Sequence, residues 1–306
     1  MRPANRVWLY CSGLAATAAL FIPLCSCAPP RSQAKTLDVK TAETEKSKDK
    51  TKTYKVKTIK DVVYYDGTDS DKKKHKLDLY LPEGAKNFPV LFFAHGGAWV
   101  HGDKDFFGIY ASLAKTYVQQ GIGVVVTNYR LSPGVKHPEH VKDVARAVVW
   151  THKNVSKHGG NPDAIFLMGH SAGAHLVSLV TTDETYLKDL KAKTRIIKGV
   201  VPISGPYDIP DGFMTNVFGK FAQKASPLRF VREGLPPFLI FYADKDMIGC
   251  DKTPSEAFCK ALKGKKVIAS TVEVKDCDHL AILAKAGTTD NDVCKAIVKF
   301  VRANSK

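Results

Sequence analysis

Five short apolar runs alternate along the chain with longer segments of helical periodicity. The runs, rich in Val, Ile and Phe, cover residues 89–94, 123–128, 164–168, 198–204 and 237–242. Continuous apolar runs of this length are typical of strands that are buried on both faces of a parallel sheet. The helical segments cover residues 106–120, 138–157, 172–182, 255–263 and 290–304. Since two amphipathic segments (57–65 and 76–81) come first, we predict an α/β three-layer sandwich over residues 56–306, with a mostly parallel sheet of about eight strands and an antiparallel edge.

The composition is that of a globular protein with a basic N-terminal part. The 306 residues are 44% apolar and include 46 Lys and Arg against 30 Asp and Glu, a net charge of +16. This mixture excludes a fully disordered chain, a collagen and a disulfide-rich miniprotein, and the length suffices for one large domain or two small ones. Residues 1–60 hold 12 basic and 4 acidic side chains, which is half of the net charge. The rest of the chain is only mildly basic, and we predict no nucleic-acid partner.

The N-terminus has the features of an export signal. Arg2 and Arg6 precede an apolar run over residues 7–24, and Leu-Cys-Ser-Cys follows at 24–27. This ending resembles a bacterial lipobox, although a cysteine at its second position is unusual; the resemblance implies a signal peptide over residues 1–27 and lipidation of Cys27. Residues 28–55, rich in Lys and Thr, are predicted to be a flexible linker. This interpretation implies a lipoprotein of the cell envelope, periplasmic or surface-exposed, held at the membrane by a lipid anchor. A secreted protein and an uncleaved membrane anchor are the alternatives.

Four cysteines remain once three are assigned to the signal. An even number in an exported chain suggests disulfides. Three connectivities are possible, and placement in the predicted fold favours the local pairs, Cys250 with Cys259 and Cys277 with Cys294.

A G-x-S-x-G motif lies between a predicted strand and a predicted helix. Residues 169–173 (Gly-His-Ser-Ala-Gly) follow the run at 164–168 and lead into the helical segment. This is the context of a nucleophile elbow, a tight turn that lifts a serine clear of the sheet. A Cβ at either glycine would crowd the neighbouring elements. We therefore predict that Ser171 is a nucleophile at the carboxyl end of a strand.

A second glycine-rich turn, residues 95–99 (His-Gly-Gly-Ala-Trp), follows the run at 89–94. With the serine elbow, it makes the chain similar to α/β-hydrolases of the esterase and lipase group, especially compact acyl esterases and arylformamidase-like enzymes with an HGGxW motif. The likeness extends to Asn-Tyr-Arg-Leu-Ser-Pro at 128–133, Pro-Asp at 162–163 and Leu-Pro-Pro at 235–237.

The resemblance implies a catalytic triad in the chain order serine, acid, histidine. Asp244 and Asp246 both follow the strand at 237–242, and the usual spacing in the group favours Asp246. The base is expected after the last strand, which makes it His279. The neighbouring Asp278 is predicted to shape the loop.

The resemblance also implies an oxyanion hole. It implies an enzyme that needs no metal or organic cofactor. The amides that would form the oxyanion hole belong to Gly96, Gly97 and Ala172. Trp99 is expected to wall the substrate pocket, and Tyr129 either lines that pocket or fills the core. The irregular segment 206–236 is predicted to be a small cap over the site. Residues 137–140 (His-Pro-Glu-His) lack the H-E-x-x-H spacing, so we predict no metal site there.

Together these features predict a serine hydrolase that cleaves small-molecule carboxylic esters through an acyl-enzyme. The second hypothesis is an arylformamidase or amidase on the same scaffold, since such an enzyme would differ from an esterase only in the residues that line its pocket. A third is a non-catalytic surface binding protein of the same fold, against which the complete set of catalytic motifs argues. The sequence predicts neither the acyl and alcohol specificity nor the oligomeric state.

Overall fold

Eight strands form a single sheet in the order β1-β2-β4-β3-β5-β6-β7-β8. The computed structural model describes residues 53–220 and 222–305. The strands are β1 (Val56–Val63), β2 (Lys76–Pro82), β3 (Phe88–Ala94), β4 (Gly123–Thr127), β5 (Gly160–His170), β6 (Ile197–Ile203), β7 (Phe238–Lys245) and β8 (Ala269–Asp278). β2 pairs antiparallel with β1 and β4, and all other pairs are parallel. The prediction of a mostly parallel sheet with an antiparallel edge is confirmed.

Helices cover both faces of the sheet. They are α1 (Ile109–Val118), α2 (Glu139–Asn154), α3 (Ala172–Thr182), α4 (Thr185–Lys188), α5 (Thr215–Phe218), α6 (Lys252–Gly264), α7 (Ala281–Ala286) and α8 (Asp292–Asn304). Side chains of α2, α3 and α6 pack into one hydrophobic core, and those of α1, α7 and α8 into a second. The three layers of the predicted sandwich are therefore present, because each sheet face is apolar and must be covered.

The direction of the parallel strands gives the sheet two different ends. The last residues of β3 to β8 lie at one end, named here the carboxyl end, and their first residues lie at the amino end. β1 starts at the amino end, since Val56 pairs with Pro82, the last residue of the antiparallel β2. Open parallel sheets bind their ligands outside the carboxyl ends of the strands.

The predicted signal peptide at 1–27, with Cys27, and most of the predicted linker at 28–55 lie outside the described residues. The first strand begins at Val56, next to the predicted end of the linker. Within the described part of the chain, no helix combines the length and the hydropathy needed to cross a membrane.

The predicted disulfides are wrong, because all four cysteines are free thiols. Cys250 precedes α6, while Cys259 lies well inside that helix. At a rise of about 1.5 Å per residue, the helix separates them by more than the ~7 Å between Cα atoms that a disulfide spans. Cys294 lies in α8, where its sulfur accepts a hydrogen bond from Gln120 Nε2 at 3.6 Å. Cys277, at the end of β8, is buried in the same hydrophobic core as Cys294 but forms no disulfide with it.

Candidate active site

Ser171 occupies the sharp turn between β5 and α3. Its backbone angles, φ 54° and ψ −120°, lie outside the regions that most residues adopt. Such a conformation costs about 1–3 kcal/mol and persists only where the surroundings enforce it. The two flanking glycines enforce it here: a Cβ on Gly169 would come within 2.4 Å of the Gly173 backbone, and one on Gly173 within 2.1 Å of the Ala94 carbonyl oxygen. The turn leaves Ser171 partly exposed at the carboxyl end of the sheet.

His279 and Asp246 are hydrogen-bonded to each other at the same end of the sheet. The Nδ1 atom of His279 lies 2.6 Å from Asp246 Oδ1. A carboxylate only accepts hydrogen bonds, so Nδ1 carries a proton and Nε2 of the neutral ring is left as a free base. The carboxyl group of Asp246 is fully buried, whereas the His279 side chain keeps 12% of its surface exposed.

Asp246 is held by three further donors. The Ser204 hydroxyl donates to Oδ2 at 2.6 Å, the Ala243 amide donates to Oδ2 at 2.9 Å, and the Met247 amide donates to Oδ1 at 2.9 Å. Burial alone raises the pKa of Asp246, but the hydrogen bonds from His279, Ser204 and Ala243 outweigh it, so the pKa lies below its usual range. Asp246 is therefore ionised at neutral pH.

The other two carboxylates near the histidine bind backbone amides. Asp244 accepts from the amides of Asp276 and Cys277, each at 2.9 Å. Asp278 accepts from the amides of Leu280 and Ala281 at 3.0 and 2.8 Å, which fixes the start of α7. Both therefore shape the loop that presents His279, and the structure brings only Asp246 to its imidazole.

His170 connects the serine turn to the histidine loop. Its Nε2 donates to the backbone carbonyl of His279 at 2.7 Å, and the two rings lie 4.7 Å apart between centroids. Because His170 directly precedes Ser171, this bond joins the loop that carries His279 to the serine turn across β6 and β7. Burial lowers the pKa of His170 to about 4, so the ring is neutral at physiological pH. Among the described residues the Ser171 hydroxyl has no hydrogen-bond partner, and in free enzymes the bond between a nucleophile and its base is often long.

The glycine loop at 95–99 lies beside the serine. A Cβ on Gly96 would approach the Ser171 Cβ to 3.2 Å, so the loop and the turn are in contact. Gly97 has φ +116°, and a Cβ there would lie 2.2 Å from the His101 carbonyl oxygen. Ala172 is the first residue of α3, where the amide has no partner within the helix. Of the residues predicted to form an oxyanion hole, Gly96 therefore contacts Ser171 and Ala172 follows it in the chain, while the Gly96 backbone is also hydrogen-bonded to the Tyr110 side chain.

Trp99 packs against residues of α3 and of the segment at 206–236. Its indole Nε1 donates to His175 Nδ1 at 3.2 Å, and its ring packs edge-on against Phe218. His175 Nε2 in turn donates to the Ala225 carbonyl at 2.6 Å. Burial lowers the pKa of His175 to about 3, which keeps the ring in the neutral form that accepts from Trp99. The predicted cap is thereby connected to the glycine loop through one histidine.

Tyr129 fills the core, which is one of the two roles that the sequence leaves open for it. It has no exposed surface, its ring stacks on His95 at 4.4 Å, and its hydroxyl donates to the His95 carbonyl at 2.9 Å. It therefore supports the glycine loop from the core side.

In the described part of the chain, no three His, Cys, Asp or Glu side chains are grouped so that they could hold a metal ion.

Sequence reasoning missed Ser204 and the bridging role of His170. Both are polar residues at the carboxyl end of an apolar strand, β6 and β5 respectively. Their position at the carboxyl end of a strand is the feature of the sequence that could have identified them as site residues. Their partners follow only from the order of the strands, which places β6 between β5 and β7.

Comparison with known proteins finds related sequences and folds. The BD-FAE family model matches residues 77–262. Esterase LipC of Mycobacterium tuberculosis is 32% identical over 185 residues, 53% of this chain and 45% of LipC, so the chain spans about half the length of that relative. Kynurenine formamidase of Danio rerio is 30% identical over 256 residues, 80% of this chain and 82% of that protein. The structure of a truncated carbohydrate esterase from gut microbiota superposes with a TM-score of 0.70 at 21% identity, over 83% of this chain and 98% of that one.

Proposed function

Because this chain belongs to the BD-FAE family, in the esterase group of the α/β-hydrolases, we propose that it is a serine hydrolase that cleaves carboxylic esters. The hydrogen bond from His279 Nδ1 to the buried carboxylate of Asp246 carries this proposal. It leaves the Nε2 of the ring as a base, at a place where His170 ties the histidine loop to the serine turn.

In the proposed reaction Ser171 attacks the ester carbonyl carbon. A serine hydroxyl is a poor nucleophile at neutral pH, so His279 takes its proton as the new C–O bond forms. Asp246 stabilises the resulting imidazolium and keeps the ring in the required tautomer. The three roles depend on one another, and the removal of any one removes most of the rate.

The tetrahedral intermediate carries a negative oxygen next to the glycine loop. We expect the amides of Gly97 and Ala172, with that of Gly96, to donate to this oxygen, and each such donor lowers the barrier by about 3 kcal/mol. The ester C–O bond then breaks, and the alcohol leaves with the proton held by His279. Water, deprotonated by the same histidine, cleaves the acyl-enzyme and restores Ser171.

The surroundings of the site support a small, apolar acyl group. Leu280 follows His279 directly, Met247 and Ile248 follow Asp246, and all three side chains are exposed. The segment at 206–236 contains only one short helix, α5, and 3-10 turns, so no long apolar lid is present within its described residues. We expect short-chain or aromatic acyl esters to be cleaved faster than long-chain ones.

A second candidate activity is the hydrolysis of an aryl formamide. A relative that matches this chain over about four fifths of both lengths is a kynurenine formamidase. The same serine, base and amides act on an ester or a formamide, so the pocket decides between them.

Covalent labelling tests the proposal directly. A fluorophosphonate probe should label the wild-type chain, and the label should be absent from Ser171→Ala. Initial rates with p-nitrophenyl acetate and with N-formylkynurenine then decide between esterase and formamidase. An unlabelled, folded wild-type chain that hydrolyses neither compound would contradict the proposal and favour a non-catalytic binding protein.

We also propose that the chain is a lipoprotein of the cell envelope, anchored through Cys27. The lipobox-like ending of the apolar run supports this location. Replacing Cys27 with Ser should move the protein from the membrane fraction to the soluble fraction of the cell. A wild-type protein found without acyl chains and in the medium would contradict it.

A further inference from the structure

The positive charge of the described residues is concentrated at the amino end of the sheet. Residues 53–220 and 222–305 contain 36 basic and 26 acidic side chains, a net charge of +10. The segments at the amino end contain 13 basic and 4 acidic side chains, a net charge of +9, and the remaining described residues carry a net charge of +1. These segments are 55–57, 82–87, 119–122, 153–159, 184–196, 231–237 and 263–268.

The basic side chains of these segments form what we call the basic face. Twelve of the thirteen are exposed, and ten form no ion pair with another described residue. The thirteen side chains are Lys55, Lys57, Lys86, Lys153, Lys157, Lys188, Lys191, Lys193, Arg195, Arg232, Lys263, Lys265 and Lys266. Lys104, in contrast, is buried and paired with Asp78 at 2.9 Å, whereas the ten unpaired side chains of the basic face are free to meet an external anion.

The basic face also contains two cavities and an exposed apolar side chain. One cavity, of about 400 Å³, is lined by four basic side chains (Lys188, Lys191, Lys193 and Arg232) and by Glu184, and the other, of about 270 Å³, by Lys57, Lys86, Lys157, His158 and Glu83. Ile268 is 78% exposed and follows Lys265, Lys266 and Val267. An apolar side chain beside lysines is a common feature of surfaces that bind the headgroup region of a bilayer.

The chain enters the domain at this same end. The Tyr54 amide donates to the Gln119 carbonyl at 3.0 Å, and the Glu83 amide donates to the Lys55 carbonyl at 2.9 Å. The 52 residues before the first described one carry 9 basic and 4 acidic side chains and include the apolar run at 7–24. The described chain, which follows the segment with the features of a membrane anchor, therefore enters the domain at the basic face and not at the end that carries Ser171.

We propose that the basic face binds the surface of an anionic phospholipid bilayer and turns the Ser171 end of the sheet towards the aqueous phase. Basic side chains within a Debye length of an anionic membrane are attracted to it, and their contributions add. A domain with nearly all of its net charge at one end is oriented by such a surface. The ester substrate then reaches the serine from the solution. This inference does not depend on the proposed catalytic activity.

Lysine footprinting on vesicles tests the orientation with the full-length chain. The chain is bound to vesicles of phosphatidylcholine alone or of phosphatidylcholine with phosphatidylglycerol, and the labelling of each lysine by an amine-reactive reagent is measured. On the anionic vesicles we expect Lys191, Lys193, Lys265 and Lys266 to be labelled about tenfold more slowly. Lys72, Lys73 and Lys245, exposed at the opposite end, should react equally on both. Equal labelling of the two ends, or protection of the carboxyl end, would overturn the proposal.

Two charge-reversed variants separate the face from the net charge. One carries Lys191→Glu, Lys193→Glu, Lys265→Glu and Lys266→Glu, and the control carries Lys72→Glu, Lys73→Glu, Lys220→Glu and Lys245→Glu, with the same net charge. The first should lose the protection of its remaining amino-end lysines on anionic vesicles, and the control should keep it. Thermal unfolding followed by circular dichroism checks that both are folded. Equal loss in the two variants, or protection by duplex DNA but not by vesicles, would contradict a membrane-binding face.

Discussion

The two ends of the sheet use polar residues in opposite ways. At the carboxyl end Asp246, Ser204, His170 and His175 are shielded from water and each has defined hydrogen-bond partners. At the amino end the lysines are exposed, and most have no charged partner among the described residues. Buried, paired groups fix positions to within a fraction of an ångström, whereas exposed charges act over a Debye length. Single substitutions should therefore have large effects at the first end and small ones at the second.

Asp246→Asn should have the largest effect. The amide cannot hold the His279 tautomer or stabilise an imidazolium, so kcat should fall by about 10³–10⁴-fold. The matched control is Asp244→Asn, where one carbonyl oxygen still accepts from a backbone amide of the histidine loop. We expect a loss below about tenfold there. Rates with p-nitrophenyl acetate measure both, and comparable losses would mean that Asp246 does no more than shape the loop.

Gly97→Ala comes next in size. A Cβ at Gly97 would lie 2.2 Å from the His101 carbonyl, so the loop must shift and move its amide. The loss of one oxyanion donor lowers kcat by about 10²–10³-fold. Gly84→Ala at the amino end is the control: its φ is +75° but nothing lies within 4 Å of the new Cβ. It should cost about 1 kcal/mol of stability and leave kcat unchanged, and a Gly97→Ala enzyme of wild-type rate would exclude this loop from catalysis.

Acid should destabilise the carboxyl end through its neutral histidines. Burial lowers the pKa of His175 to about 3, so between that value and 6.5 the unfolded chain binds a proton that the folded chain does not. This stability is complete above the unfolded pKa and is lost as the pH falls, by about 2 kcal/mol per such histidine at about pH 5.

His175→Gln should therefore show a smaller loss of unfolding free energy between about pH 7 and pH 5, by about 2 kcal/mol, in urea titrations. His158, at the amino end, is the control. Its pKa is also lowered, by partial burial and by Lys57 and Lys157, but it remains partly exposed. His158→Gln should change the pH dependence less, and an unchanged slope in His175→Gln would mean that His175 is not neutral in the folded state.

Reductant should have the smallest effect, because neither end of the sheet is held by a disulfide. A native disulfide typically contributes about 2–4 kcal/mol. We expect the midpoint of thermal unfolding to change by less than about 1 °C when dithiothreitol is added. A fall of several degrees would show that thiols such as Cys277 and Cys294 pair in the native protein.

Local patterns in the sequence were sufficient for the layers of the fold and for the turns of the site. The apolar runs predicted β3 to β7, and the two glycines around Ser171 predicted a crowded turn, because both depend on neighbours in sequence. Helices α4, α5 and α7 were missed, since four to six residues make little more than one turn and have no periodicity to detect.

Contacts between segments that are distant in sequence could not be predicted from these local patterns. The bond from Ser204 to Asp246 requires β6 and β7 to be neighbours, and the bond from His170 to His279 crosses both of them. Tyr129 was assigned two roles because an aromatic residue after a strand suits either the pocket or the core. The pairing predicted for Cys250 and Cys259 was wrong because their closeness in sequence does not imply closeness across a helix.

Trapping the acyl-enzyme is the most direct test of the central claim that Ser171, His279 and Asp246 act together in acyl transfer. The wild-type chain is mixed with p-nitrophenyl acetate, quenched in acid before the steady state, and digested for tandem mass spectrometry. We predict a burst of p-nitrophenol that matches the enzyme concentration and an acetyl group on Ser171, with neither in Asp246→Asn on the same timescale. Steady ester turnover with no acetyl group on Ser171 at any quench time would contradict the account.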